Sequence, residues 1–283
     1  MTNAAPISPK KAASAAERLS LMMQLREAAR AITLPLFKGG MDIANKASGS
    51  DFDPVTNADT EGEKALRALI QAAFPDDSIE GEEFPDVNGS NEWLWTLDPI
   101  DGTRGFVAGI PVWSTLIAVS HKDVPIIGMI DHPALGESYF GDLSNPDDKR
   151  AWRLDDSGDV TPLQARPCAA LKDAILGCTE PLSMLGHGEL AAYNVIRHGT
   201  QFSRLGLDAY GYAMVASGRM DIIIEAMLKP CDVRALMPVI EASGGALTNW
   251  HGGNPVNGGR VVAVGDAGLL PELYTYLGRA LSV

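Results

Sequence analysis

The chain has 283 residues, 46% hydrophobic and 21% charged, a composition that supports one large or two closely packed domains around a full core. Its net charge of −13, with no dense Lys/Arg block, argues against nucleic-acid or anionic-membrane partners. No run approaches the ~20 apolar residues of a membrane span, and Cys168, Cys178 and Cys231 form neither a CxxC pair nor a disulfide framework, as expected of free thiols in the cytoplasm.

Residues 1–15 are Ala/Ser/Pro-rich without a signal-type apolar core and are predicted to be disordered. Leu19, Met22, Met23, Leu25, Ala28, Ala29 and Ile32 recur at helical spacing over 16–36, with Pro35 as a stop. A Gly/Ser/Asp-rich surface loop follows over 38–53, and a second helix over 59–73 carries Leu66, Leu69 and Ile70 on one face. Apolar runs at 93–97, 114–119 and 126–130 predict strands, the later ones antiparallel. A polar zone spans 141–167. Strand-like 174–177, 201–203 and 222–224 then alternate with helix-like 190–197, 208–217 and 233–242. The expected organisation is an α+β half over 16–150 with most candidate ligands and an α/β half over 151–283.

The chemistry concentrates in Leu97-Asp98-Pro99-Ile100-Asp101-Gly102-Thr103-Arg104-Gly105, directly after an apolar strand. Two carboxylates three positions apart at a proline-stiffened strand end can converge on a hard divalent cation with the Ile100 carbonyl, and Asp98 could bridge two ions. Gly102 and Thr103 open a short helix whose free N–H groups suit a phosphate. The alternative is a strand-to-helix turn capped by Asp. Glu80, Glu82 and Glu83 follow another strand, and Asp232 stands before the stripe Val233, Leu236, Met237 and Ile240. Taken singly, Asp232 reads as a helix N-cap and Glu83 as a solvated acid.

Asp53-Pro54-Val55-Thr56-Asn57-Ala58-Asp59, Gly81-Glu82-Glu83, Asp98-Pro99-Ile100-Asp101-Gly102-Thr103 and Asp232 with Glu241-Ala242-Ser243-Gly244-Gly245 occur in an order that resembles the inositol monophosphatase family, from about residue 16 onward. The resemblance implies a layered αβαβα sandwich, like that of fructose-1,6-bisphosphatase, and a homodimer. It implies two or three Mg²⁺ ions held by Glu82, Asp98, the Ile100 carbonyl, Asp101 and Asp232. By the same carry-over Thr103 and Asp59 activate the attacking water with Thr56 in support, Gly102, Thr103 and Asp232 adjoin the substrate, and Lys46 closes over the site unless it is an ordinary solvated lysine.

The substrate would be a small phosphorylated metabolite. Asp208, in Arg204-Leu205-Gly206-Leu207-Asp208, and Leu228-Lys229-Pro230 before Cys231-Asp232 depart from the inositol phosphatase pattern and are similar to the bacterial histidinol-phosphate phosphatase branch. A pocket with Asp208 and Glu225 favours an amine-bearing substrate through charge-assisted hydrogen bonds; the alternative for Asp208 is a helix cap. Inositol phosphate or a sugar phosphate is the competing substrate, and a catalytically silent binding protein the competing class, against which the complete carboxylate set argues. The five histidines show no zinc spacing, and neither a GxSxG elbow nor a P-loop occurs.

Overall fold

Helix α1 spans Pro9–Lys38, starting seven residues before its apolar stripe. Lys10, Lys11 and the alanines that follow are good helix formers, so propensity carries the helix upstream of the apolar stripe. Pro35 lies in the last turn, where one missing N–H bond is tolerated, and does not stop the helix. The structure, a computed structural model, describes residues 9–39, 41–45 and 54–280; the predicted loop therefore falls largely outside the described residues, and Lys46 lies wholly outside them.

Two short strands, β1 (Ile43–Asn45) and β2 (Pro54–Thr56), pair antiparallel. They lead into α2 (Asn57–Ala73), which buries Leu66 and Ile70. A seven-stranded sheet follows: β3 (Ser78–Gly81), β4 (Trp93–Asp101), β5 (Ser114–His121), β6 (Val124–His132), β7 (Glu137–Asp142), β8 (Arg150–Asp155) and β9 (Val160–Pro162), in that spatial order. Only β3 and β4 are parallel. Helix α3 (Thr103–Val107) joins β4 to β5. The sheet thus continues through the polar zone. β8 and β9 are marginal strands with polar outward positions, anchored by Ala151 in the core and by Trp152 stacked on Phe140 with centroids 5.1 Å apart.

The second sheet is built from β10 (Ile175–Cys178), β11 (Phe202–Leu205), β12 (Ile222–Leu228), β13 (Ala246–Asn249) and β14 (Gly259–Val264), ordered β11-β10-β12-β14-β13. Its helices are α4 (Pro181–Met184), α5 (His187–Gly199), α6 (Ala209–Ala216), α7 (Pro230–Arg234), α8 (Leu236–Ala242) and α9 (Leu270–Ala280). The helix expected over 233–242 is two helices meeting at Ala235.

Three cores set the layers. Leu25 and Leu66 from α1 and α2 pack on Trp95, Ile117 and Met129. Leu116 and Ile130 on the opposite face meet Tyr212 and Val239 from α6 and α8, which also cover Ile223 and Val261 of the second sheet. Tyr193, Ile196 and Leu273 from α5 and α9 close its far side against Leu176 and Val262. The order is α/β/α/β/α, as expected. Buried ion pairs fix α1 on the first sheet: Arg18 to Asp77 at 2.6 Å and Arg30 to Asp131 at 2.7 Å.

His132 ends β6 inside this stack, fully buried, with Nδ1 3.1 Å from the Trp113 carbonyl and no hydrogen-bond partner for Nε2 among the described residues. Burial lowers its pKa to about 4. Its unfolded value is about 6.5, so the neutral ring contributes stability in full above pH 6.5. That contribution is lost between pH 6.5 and 4, at about 1.4 kcal/mol per pH unit. Urea unfolding of wild type and His132→Asn at pH 6.5 and 4.5 should show a fall steeper by ~2–3 kcal/mol in the wild type; parallel falls would mean that His132 titrates normally.

Candidate active site

Parallel β3 and β4 end side by side, with Gly81 opposite Leu97, which brings Glu82 and Asp98 to one edge. The register of β4 against β5 then breaks between Asp98 and Asp101, a bulge that re-aims the second carboxylate. Asp98 Oδ1 accepts from the Ile100 N–H at 3.0 Å, tightening the turn. Gly102 leaves the strand at φ +78°, where an L side chain is strained, and starts α3. Helix α2 lies against this strand end through Gly62, where an added Cβ would sit 2.9 Å from Pro99 Cβ. That close approach carries Thr56 and Asp59 to the same edge.

Asp232 arrives from the second sheet, but not as an N-cap. Lys229 occupies the cap position and Asp232 is the third residue of α7, its Oδ2 accepting the Lys229 N–H at 2.7 Å. Pro230 at the first helical position shifts the helix start upstream of where the apolar stripe places it. Asp208 does stand at the cap position of α6, yet its side chain makes no capping bond. It adopts φ 47° and ψ −141°, a region that non-glycine residues rarely occupy.

Glu82, Asp98 and Cys231 form one cluster and Asp98, Asp101 and Asp232 another; within each, one ligand atom per residue lies within 4.8 Å of the others. Asp98 is shared, as a bridging carboxylate would be. Burial pushes its pKa well up, and the charges of Glu82, Asp101, Asp232 and Asp59 push it further. Asp101 is raised by burial, then by Asp208 and Asp232, against the lowering effect of the Ala209 N–H at 3.2 Å and the Ser114 hydroxyl at 3.1 Å. Burial also raises Asp232. Mutually repelling carboxylates brought this close fit a divalent cation. The donors are predominantly hard oxygens, and the Cys231 thiol, pushed far up by burial and then by Asp98, is neutral rather than a thiolate. No histidine joins either cluster among the described residues.

Thr56 and Asp59 form a closed pair: the Thr56 hydroxyl donates to Asp59 Oδ2 at 2.6 Å and the Thr56 N–H to the same oxygen at 2.8 Å. Asp59 is 2% exposed. The Thr103 hydroxyl donates to the Ile100 carbonyl at 3.1 Å, so two candidate groups touch directly. Beside the second cluster lies a cavity of about 60 Å³, lined by Asp101, Thr179, Asp208, Tyr212, Glu225 and Asp232 among others. Glu225 is held by the Thr179 N–H and hydroxyl at 2.9 and 2.5 Å and by the Tyr212 hydroxyl at 2.9 Å. Burial raises it to about 7 and Asp208 to about 6. Thr179 and Tyr212 were not legible beforehand, and Lys229, whose ammonium bonds Glu82 Oε1 at 2.8 Å, was marked only as part of the Leu228-Lys229-Pro230 departure. Their roles depend on β10, α6 and β12 meeting in space.

Stacked α and β layers with paired carboxylate clusters at converging strand ends are the build of a phosphatase that works through divalent cations. Residues 15–280 match the inositol monophosphatase family, to which this chain belongs. The bifunctional phosphatase IMPL2, chloroplastic, of Arabidopsis thaliana is 37% identical over 230 residues, 81% of this chain but only 63% of that protein. A histidinol-phosphatase of Chlorobaculum parvum is 32% identical over 234 residues, 83% of this chain and 86% of that one. Among solved structures, an inositol monophosphatase from Zymomonas mobilis aligns with TM-score 0.78 and 32% identity over 92% of this chain and 97% of that one. Among the described residues no helix is long and apolar enough to cross a membrane.

Proposed function

We propose that this phosphatase hydrolyses L-histidinol phosphate to L-histidinol and phosphate. The substrate choice is carried by Asp208, a carboxylate without a capping bond on the wall of the cavity beside the second cluster. With a pKa near 6 it is mainly ionised at neutral pH and suits the primary ammonium of histidinol. Glu225, fixed by Thr179 and Tyr212, presents a second acid to the same space. Inositol phosphate, bearing only hydroxyls beyond its phosphate, gives these acids no cation to pair with.

Glu82, Asp98, the Ile100 carbonyl, Asp101 and Asp232 are the residues that would hold two or three Mg²⁺ ions. When bound, the ions neutralise the carboxylates, acidify water and stabilise the charge of the leaving oxygen. The chain does the positioning. Asp59, fixed by Thr56, receives the proton of the attacking water while the Thr103 hydroxyl orients it. The water oxygen bonds to phosphorus, the ester P–O bond breaks, the leaving oxygen takes a proton from solvent water to become the histidinol hydroxyl, and Asp59 returns its own proton to solvent. The main-chain N–H groups of Gly102 and Thr103 would donate to the phosphate.

Phosphate release from L-histidinol phosphate and inositol 1-phosphate, with Mg²⁺ or a chelator, tests this. Turnover should require the metal and favour histidinol phosphate at least ~10-fold in kcat/KM, the scale of one charge-assisted contact. Preference for inositol phosphate, the substrate class of the Zymomonas relative, would replace the substrate and leave the hydrolase mechanism standing.

A further inference from the structure

Lys229 enters the carboxylate centre from two directions. Its main-chain N–H donates to Asp232 Oδ2 at 2.7 Å and its ammonium to Glu82 Oε1 at 2.8 Å, so one residue joins the outer members of both clusters. Pro230 restricts the preceding backbone, and Lys229 sits extended at φ −90° and ψ 166°, which fixes the root of the side chain and leaves its end movable. The Lys229 side chain is 54% exposed and Glu82 16%. The pair therefore lies at the solvent side of the centre and is not locked within it. A cavity of about 300 Å³ adjoins it, lined by Glu80, Glu82, Asp86, Thr96 and Lys229 among others. Withdrawn from Glu82, the ammonium has space there and a second acid, Asp86, on the same wall.

Resting on the metal-dependent reading above, we propose that Lys229 is a tethered counter-ion for Glu82. Its ammonium competes with the divalent cation that Glu82, the solvent-side member of the clusters, would hold, and that cation displaces Lys229 into the neighbouring cavity when it binds. A charge on a short tether competes at an effective concentration of the order of millimolar. Lys229 thereby sets the cation concentration at which the Glu82 position fills, and neutralises the carboxylate below it. It is a positioning residue, acting through Glu82.

The test is Mn²⁺ binding to the substrate-free protein, followed calorimetrically for wild type, Lys229→Met and Lys229→Arg. The methionine variant keeps most of the stem and removes the charge. It should bind the cation at Glu82 about five- to tenfold more tightly, about 1–1.4 kcal/mol, while the arginine variant stays close to wild type. A methionine variant with an unchanged or weaker isotherm overturns the proposal, and a lowered Tm alongside it would assign the ion pair to structure alone. Absence of Mn²⁺ binding in all three proteins would remove the metal centre and this proposal with it. Tighter binding in the methionine variant without turnover of either phosphate substrate would sustain the counter-ion and overturn only the catalytic reading.

Discussion

Asp101→Asn is expected to lower phosphate release by at least ~10²–10³-fold, the scale of losing one preorganised group that stabilises transition-state charge, and to raise the melting temperature of the chelator-treated protein. The two effects share a cause. Asp101 lies in a cluster with Asp98 and Asp232, and burial plus neighbouring carboxylates raise all three pKa values. A carboxyl whose native pKa lies above its unfolded value of about 3.9 contributes stability below that value and loses it as the pH rises through the native pKa. Without a cation the cluster therefore weakens the fold at neutral pH. Neutralising one member relieves this, and about 1 kcal/mol of relief corresponds to roughly 2–4 °C at this size.

Asparagine also keeps an oxygen to accept from the Ala209 N–H and Ser114 hydroxyl, so the local fold should survive. Added Mg²⁺ should raise the wild-type Tm by mass action and do much less for the variant. Thermal scans with and without Mg²⁺, beside the activity assay, check both. Full activity, or an undiminished Mg²⁺-induced shift, would remove Asp101 from the metal centre.

The part of this centre legible in the sequence is the part encoded locally. Asp98, Asp101, Gly102 and Thr103 form one strand end and one helix start, so their spacing alone places them together. Glu82 and Asp232 were legible only because their motifs occur in a known order; alone, Asp232 reads as a helix cap and Glu83, beside Glu82, as a solvated acid. What the sequence hid was set by contacts distant along the chain. Asp232 turned out to be a third-position residue because Pro230 starts α7 early, and Asp208 forgoes its cap because its carboxylate faces Gly102, whose added Cβ would sit 3.0 Å from Asp208 Cγ. Lys229 and Cys231 join the centre across the two sheets, a pairing that no local pattern announces. At the level of fold, β8 and β9 were masked by polar composition, and the start of α1 by the absence of an apolar stripe.

Asp208→Gly should separate stability from specificity. At φ 47° and ψ −141° the aspartate backbone is strained by on the order of 1–3 kcal/mol. Glycine adopts that conformation without a Cβ clash. Its main-chain N–H can still donate to the Thr179 hydroxyl, 3.1 Å away in the wild type, and no side-chain cap is lost. The greater freedom of glycine in the unfolded chain offsets part of the gain, about 0.5–1 kcal/mol, so the expected change in Tm is upward by a few degrees or less. The carboxylate, by contrast, is gone. Losing one charge-assisted hydrogen bond corresponds to about 1.5–3 kcal/mol, so kcat/KM for L-histidinol phosphate should fall ~10–10²-fold, mainly through KM, with inositol 1-phosphate turnover nearly unchanged. A lowered Tm with both substrates equally affected would mean that Asp208 supports the start of α6. An equal loss for both substrates at unchanged Tm would instead place its effect on Asp101, whose pKa it raises, and the amine reading of the cavity would fall.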